Sequence, residues 1–339
     1  MADLLGVPEP TANPGARSVR EWDAHDNLHV TELAWDVGFG PDAHGWLVHR
    51  NGAMVKDMPG VVVFHSHGGV KSIGALRDVP LSPDTTDDTP ELAASRAYQA
   101  TQATDFGIVG RLASRGVAVF VPDTFSWGSR RFNLALTTGV LARQNELLEA
   151  AGRSSVTRYD DLAVIHEHVV AKAAGLIGTS YAGMIAHDDL IALMVFRGLG
   201  VADPGVVGFS GGGTRALIAS ALNPQVSNVV VANSMTTVSS LIPTQIAVHP
   251  WLLFTPGLYA EVDLPEQAAN RRFQHLAVIY GLRDPLFPLP GMLAADQRLT
   301  TLFEGASGSY RGHFLNVAHE FTPLSQEIAI EALLGRTYG

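Results

Sequence analysis

The stretch GVVGFSGGGTRALIASAL, Gly205 to Leu222, runs a short apolar segment into one serine set among glycines and then into an alanine-rich segment with helical character. Gly208-Phe209-Ser210-Gly211-Gly212 fits the pattern G-x-S-x-G, and a strand before it with a helix after it is the context that pattern requires. A serine on so tight a turn must adopt a strained backbone, and its neighbours must be small because a Cβ there would clash. The turn lifts the hydroxyl clear of the sheet. The helix that starts there aims its free amides and positive dipole end at the same place, which makes the Gly211 amide a candidate oxyanion donor. A phosphate loop would carry a lysine or a second spaced set of glycines, and neither is present. Gly178-Thr179-Ser180-Tyr181-Ala182-Gly183 looks similar, but no strand precedes it and Ala182 replaces the second glycine. Ser180 is therefore expected in a loop before the helix HDDLIALMVFRGL, with His187-Asp188-Asp189 as an ordinary helix start.

A serine hydroxyl is a weak nucleophile until a base takes its proton, and the base needs a third group to orient it. In this kind of site the partners follow in the order acid, then histidine. Asp284, in Leu282-Arg283-Asp284-Pro285 just beyond VIYG, sits at the C-terminal edge of an expected strand, where open α/β sheets keep their sites. Two late histidines compete for the base. His313 falls inside the strand-like run SYRGHFLNV, whereas His319 lies just past it, so geometry favours His319. The second oxyanion donor is expected in the loop Phe64-His65-Ser66-His67-Gly68-Gly69, at the His67 amide. His65 and His67 could instead ligate a metal from one strand face, but no third ligand stands at a recognisable spacing. His166 and His168 lie two apart in a helical pattern, on different faces, and are expected to be solvated. Trp127, Met235 and Trp251 are candidates for lining an acyl or alcohol site, although such side chains are more often core.

The rest of the chain supplies the frame. Its 339 residues, 46% hydrophobic and 17% charged, are ordinary for a globular protein. The formal net charge of −10 argues against nucleic acid as a partner, and basic residues cluster only as the pairs Arg130-Arg131 and Arg271-Arg272. The absence of cysteine removes disulfides, thiolate metal sites and a thiol nucleophile. No apolar run reaches the roughly 20 residues that span a bilayer. No cationic start leads into an apolar core at the N-terminus, so a cytoplasmic location is expected. No heptad marks an oligomer interface.

Apolar runs at 28 to 37, 45 to 50, 60 to 66, 117 to 123, before Ser210, at 226 to 233, at 275 to 281 and at 309 to 317 read as strands, with helical patterns between most of them. Strand alternating with helix is the rhythm of a mostly parallel sheet flanked by helices. Residues 1 to 26, rich in Pro, Asp and Ala, are expected to wrap the surface ahead of the first strand. Residues 27 to 339 read as one domain, with a helical insertion near 131 to 185 and a second insertion at 235 to 272 that could overhang a site.

Taken together, these residues resemble the α/β-hydrolase superfamily, and within it the dienelactone-hydrolase-like and acetyl-xylan-esterase-like branch, from about Trp35 to Leu334. His65-Ser66-His67-Gly68-Gly69 resembles that branch's H-G-x-G-G oxyanion loop, with Ser66 where glycine is usual. Gly281 to Pro288 resembles its acid loop and Asn316 to Phe321 its histidine loop. The stretches at Ser234-Met235-Thr236-Thr237 and His249-Pro250-Trp251 are similar to segments near its substrate. The resemblance implies an α/β-hydrolase fold and a serine esterase with Ser210, Asp284 and His319 as its triad, the Gly211 and His67 amides as oxyanion hole, a small-molecule ester as substrate, and no metal or organic cofactor. True dienelactone hydrolases use a cysteine nucleophile, so their substrate does not carry over. An acetyl or short-chain acyl esterase is the first expectation. A lactonase, a peptidase or a carbon-carbon bond hydrolase would use the same triad, and a non-catalytic binding protein would be marked by a missing triad member.

Overall fold

The computed structural model describes residues 1–10, 14–86, 88–101, 107–226, 228–268 and 275–335. Arg271-Arg272 and the end of the 235 to 272 segment lie outside the described residues. Among the described residues nine strands form one sheet: β1 (Arg17–Ala24), β2 (Leu28–Trp35), β3 (Ala43–Arg50), β4 (Gly60–Phe64), β5 (Ala118–Pro122), β6 (Gly205–Phe209), β7 (Asn228–Ala232), β8 (His275–Gly281) and β9 (Ser309–Leu315). Their order is β1-β2-β3-β5-β4-β6-β7-β8-β9. The pairs β1/β2, β2/β3 and β3/β5 are antiparallel, and every pair from β5/β4 to β8/β9 is parallel.

The central strands are short β-branched runs because both of their faces are covered. The pleat sends Val62, Phe64, Val206, Val229 and Val231 to one face, where they meet helices Tyr181–Gly198, Gly211–Leu222 and Leu289–Phe303 through Ile191, Phe196, Leu217, Met292 and Leu299. It sends Val61, Val63, Val207 and Val230 to the other, against Ile108 and Leu112 of helix Gly107–Ser114 and Ile328 and Ile330 of helix Pro323–Leu333.

The N-terminal segment and the His187 segment differ from expectation. Residues 1 to 26 do not merely precede the first strand, because Arg17–Ala24 is itself the edge strand β1. It escapes an alternation test because Trp22 is its one buried side chain, anchored by its Nε1 donating to the Pro80 carbonyl at 3.0 Å. His187-Asp188-Asp189 does not start a helix but lies inside helix Tyr181–Gly198, fully buried. These charges are tolerated there because Arg130 pairs with Asp188 at 2.8 Å and Arg215 with Asp189 at 2.7 Å.

The segment at 131 to 185 contributes helices Gly139–Ala150 and Ser155–Leu176 before the core helix begins at Tyr181. His168 is exposed, as expected, and accepts from Trp251 Nε1 at 2.8 Å, whereas His166 is half-buried and stacks on Phe132 at 3.9 Å. Among the described residues no single helix is long and apolar enough to cross a membrane.

Candidate active site

The site forms where the strand order diverges, at the C-terminal ends of β4 and β6, the position at which open parallel sheets expose their crevice. Ser210 follows β6 directly, with φ 56° and ψ −127°. That conformation is costly for a residue with a Cβ, and the surroundings leave no alternative. A Cβ on Gly208 would stand 2.0 Å from the Gly212 carbonyl oxygen, and one on Gly212 would stand 2.0 Å from that of Phe64. The Ser210 amide donates to the Ala232 carbonyl at 2.9 Å, which fixes the turn to β7.

Ser210 Oγ lies 2.8 Å from His319 Nε2, and His319 Nδ1 lies 2.7 Å from Asp284 Oδ2. The three side chains thus form one continuous line of hydrogen bonds. Asp284 follows β8 and His319 follows β9, so adjacent parallel strands bring these two side chains to the same edge of the sheet. Burial favours the neutral form of Asp284, but the His319 hydrogen bond and charge, with Asn233 and the Leu286 amide, outweigh it and hold the carboxyl below its usual range. The ring of His319 packs between Phe209 at 4.8 Å and Phe287 at 5.9 Å. His313, the rival base, sits inside β9 and lines a different cavity, with His275 and Glu331.

A Cβ built on Gly211 would meet the His67 backbone nitrogen at 3.1 Å, so the two residues expected to donate to an oxyanion lie side by side. Gly211 opens a twelve-residue helix, where the first amides have no partner within the helix. The cavity at Ser210 has a volume of about 240 Å³. Its wall combines His67, Gly211 and His319 with the apolar side chains of Val248, Pro250, Leu252, Leu253, Leu286 and Phe287. A larger cavity of about 780 Å³ touches Ser66 and His319 and is lined also by Gly107 and Gln326, but not by Ser210.

Of the pocket candidates, none is in the wall of the Ser210 cavity among the described residues. Trp127 is buried beneath the His67 ring, edge-on at 5.3 Å. Met235 belongs to the core against the sheet. Trp251 points its indole at His168, while its neighbours Pro250 and Leu252 face the cavity. Bulky apolar side chains were drawn to buried packing, which is where most of them reside. Ser180 caps helix Tyr181–Gly198, accepting from the Gly183 amide at 2.9 Å and donating to the Leu5 carbonyl at 2.6 Å. His65 faces Asp123 at 4.0 Å and His67 faces Glu167 at 3.8 Å. Among the described residues no group of three or more His, Asp or Glu side chains is placed to share a metal ion.

Two further neighbours bear on the site: Asn233, which no sequence motif marked, and His249, from the stretch His249-Pro250-Trp251. Asn233, in a left-handed conformation at φ 47°, reaches from the end of β7 to Asp284. His249 donates from Nε2 to the Leu286 carbonyl at 2.9 Å and so ties the segment above the cavity to the acid loop.

No protein-family model matches the chain, and no curated protein matches it. Solved structures do. An acetyl xylan esterase from Paenibacillus sp. R4 is 15% identical, over 98% of this chain and 91% of that one, with a TM-score of 0.55. Acetyl xylan esterase 1 from Thermoanaerobacterium sp. JW/SL YS485 is 16% identical, over 96% and 89%, with a TM-score of 0.56. A glucuronoyl esterase from Solibacter usitatus is 13% identical, over 96% and 87%, with a TM-score of 0.58. At such identities the likeness is one of architecture, and the architecture this chain shares with them is the α/β-hydrolase fold.

Proposed function

We propose that this chain is a serine hydrolase that cleaves carboxylic esters of a short, uncharged acyl group through an acyl-enzyme. The observation that carries the reading is the unbroken line from Ser210 Oγ through His319 to Asp284, at 2.8 and 2.7 Å, on a strained strand-to-helix turn. Ser210 Oγ attacks the ester carbonyl while His319 Nε2 takes its proton, and Asp284 holds the imidazole's orientation and stabilises its cation. The carbonyl oxygen becomes an oxyanion that accepts from the Gly211 and His67 amides, each worth about 3 to 4 kcal/mol of barrier in comparable sites. Collapse of the tetrahedral species breaks the carbon-oxygen bond, and His319 returns the proton to the departing alcohol. Water, deprotonated by His319 in turn, releases the acid.

The wall of the cavity supports the acyl choice. It is small and apolar, and among the described residues no lysine or arginine lines it. An acetyl or similar group fits that chemistry, as in the acetyl xylan esterases whose fold the chain shares. A uronoyl group, which carries hydroxyls and would need polar partners, is less suited to it. The test is hydrolysis of p-nitrophenyl esters of increasing acyl length, with Ser210→Ala as control and fluorophosphonate labelling as a second readout. Turnover should be greatest for the shortest acyl groups, survive chelators and vanish in Ser210→Ala. Ester hydrolysis by a protein whose Ser210 resists labelling would overturn the reading.

A further inference from the structure

We propose that Glu167 is a positioning residue for this reaction: its carboxylate holds the oxyanion loop and the segment roofing the acyl cavity in fixed register. The proposal rests on the serine-hydrolase reading above and concerns a residue that reading does not use.

Glu167 lies on helix Ser155–Leu176, within the inserted segment, and is 4% exposed. Its Oε2 accepts from Lys71 Nζ at 2.6 Å and faces His67 Nε2 at 3.8 Å. His67 Nδ1 accepts from the Gly69 amide at 3.5 Å, which leaves the ring hydrogen on Nε2, towards the carboxylate. Glu167 Oε1 accepts from the Trp251 backbone amide at 2.5 Å, just beside the cavity residues His249, Pro250 and Leu252. One carboxylate therefore joins the loop that carries the His67 oxyanion amide to the roof over the acyl group.

The surroundings fix that carboxylate closely. Lys71 is 2% exposed, donates also to Tyr181 Oη at 3.0 Å and lies 4.2 Å over the Trp127 ring. Burial works against the charge on Glu167, yet His67 and Lys71 together pull its pKa down to about 2. Two turns earlier on the same helix face, Asp160 accepts from the Ser72 amide at 2.8 Å and its hydroxyl at 2.9 Å, so the helix grips the loop at two points. A buried ion pair is poor value for stability alone, since an apolar pair of similar volume usually does as well or better. What an apolar pair would not supply is a directed hold on His67 and on the Trp251 amide.

The test uses the full chain, with Glu167→Gln, the double variant Lys71→Met/Glu167→Gln and His67→Ala. Turnover of p-nitrophenyl acetate is expressed per site titrated with a fluorophosphonate, so that loss of folded protein does not count as loss of chemistry, and thermal midpoints are measured in parallel. Glu167→Gln strands the Lys71 ammonium and lowers the midpoint; the double variant removes both charges and regains it. His67→Ala keeps the ion pair and folds. We expect kcat per titrated site to fall roughly 10- to 100-fold in both Glu167 variants, the scale of an ångström's misplacement, and severalfold in His67→Ala, with KM little changed. A double variant of restored stability and His67→Ala that both turn over within about twofold of the parent would overturn the positioning role while leaving the esterase reading intact. A parent chain that neither labels nor hydrolyses esters would overturn both.

Discussion

Asn233 Nδ2 donates to Asp284 Oδ2 at 3.0 Å, to the same oxygen that receives His319 Nδ1 at 2.7 Å, and also to the Ala318 carbonyl at 3.2 Å. One side chain thus braces both Asp284 and the loop that carries His319. Asn233→Gly removes it while suiting the left-handed backbone at φ 47°, so the loss is not mixed with strain. A hydrogen bond to a charged group is worth about 1.5–3 kcal/mol, so kcat for p-nitrophenyl acetate should fall by roughly 10-fold or more. Thermal midpoint and kcat are measured together; unchanged kcat would show that the brace is dispensable.

The two serines in similar settings separate by experiment. Ser180 caps a helix and Ser210 faces His319, so Ser180→Ala should cost about 1 kcal/mol of stability with turnover intact. Ser210→Ala should do the reverse, abolishing acyl-enzyme formation while leaving stability nearly unchanged, since alanine keeps the Cβ and with it the outlying backbone conformation. Urea unfolding and ester turnover on both variants decide this. A Ser180→Ala protein of normal stability and lost activity would exchange the two roles.

Which of these features could be read from the sequence follows a physical rule. The central parallel strands were legible because β4, β6 and β7 are short β-branched runs buried on both faces, and Ser210, Asp284 and His319 because each sits at a strand end inside a local pattern. The edge strand at Arg17–Ala24 was not, since its pairing with β2 is made by backbone groups that any side chain permits. Nor were Lys71 and Glu167, 96 residues apart, or Asn233 and Asp284, 51 apart, whose meaning arises only when folding makes them neighbours. The buried Asp188 and Asp189 read as an ordinary helix start for the same reason: Arg130 and Arg215, which pay their desolvation cost, come from elsewhere in the chain. Trp127, Met235 and Trp251 lie close to functional segments, but in sequence nothing separates a pocket wall from the core behind it.

Gly211→Ala tests the neighbouring amides. Its Cβ would sit 3.0 Å from the Cβ of His67 and 3.1 Å from the His67 nitrogen, so the oxyanion loop must retreat by a few tenths of an ångström. Alanine is otherwise a better helix former than glycine by about 1 kcal/mol, so folding should hold. We expect kcat to fall by roughly 10-fold, a fraction of the 10²- to 10³-fold lost with a whole oxyanion donor. Parent-like kcat in a folded Gly211→Ala protein would place the second donor away from His67.

His187 gives the fold a measurable acid sensitivity. It is 3% exposed, donates from Nε2 to the Val37 carbonyl at 3.0 Å and stacks on Phe39 at 5.4 Å. Burial first, and the Arg130 charge second, bring its pKa from 6.5 down to about 4. The unfolded chain therefore binds a proton at this position between those values while the folded chain does not. Stability contributed by the neutral ring is present above pH 6.5 and drains away as pH falls towards about 4. By pH 5 the loss from this one residue should be about 2 kcal/mol. His187→Gln keeps a donor for Val37 without the titration, and its urea unfolding free energy should change less between pH 7 and pH 5 than the parent's, by about that amount. His166, also brought to about 4 by burial and the Lys71 charge, titrates in both proteins and cancels in the comparison. Equal pH slopes in parent and His187→Gln would mean that the ring is protonated in the folded state, and that Arg130 and Asp188 rearrange to accept it.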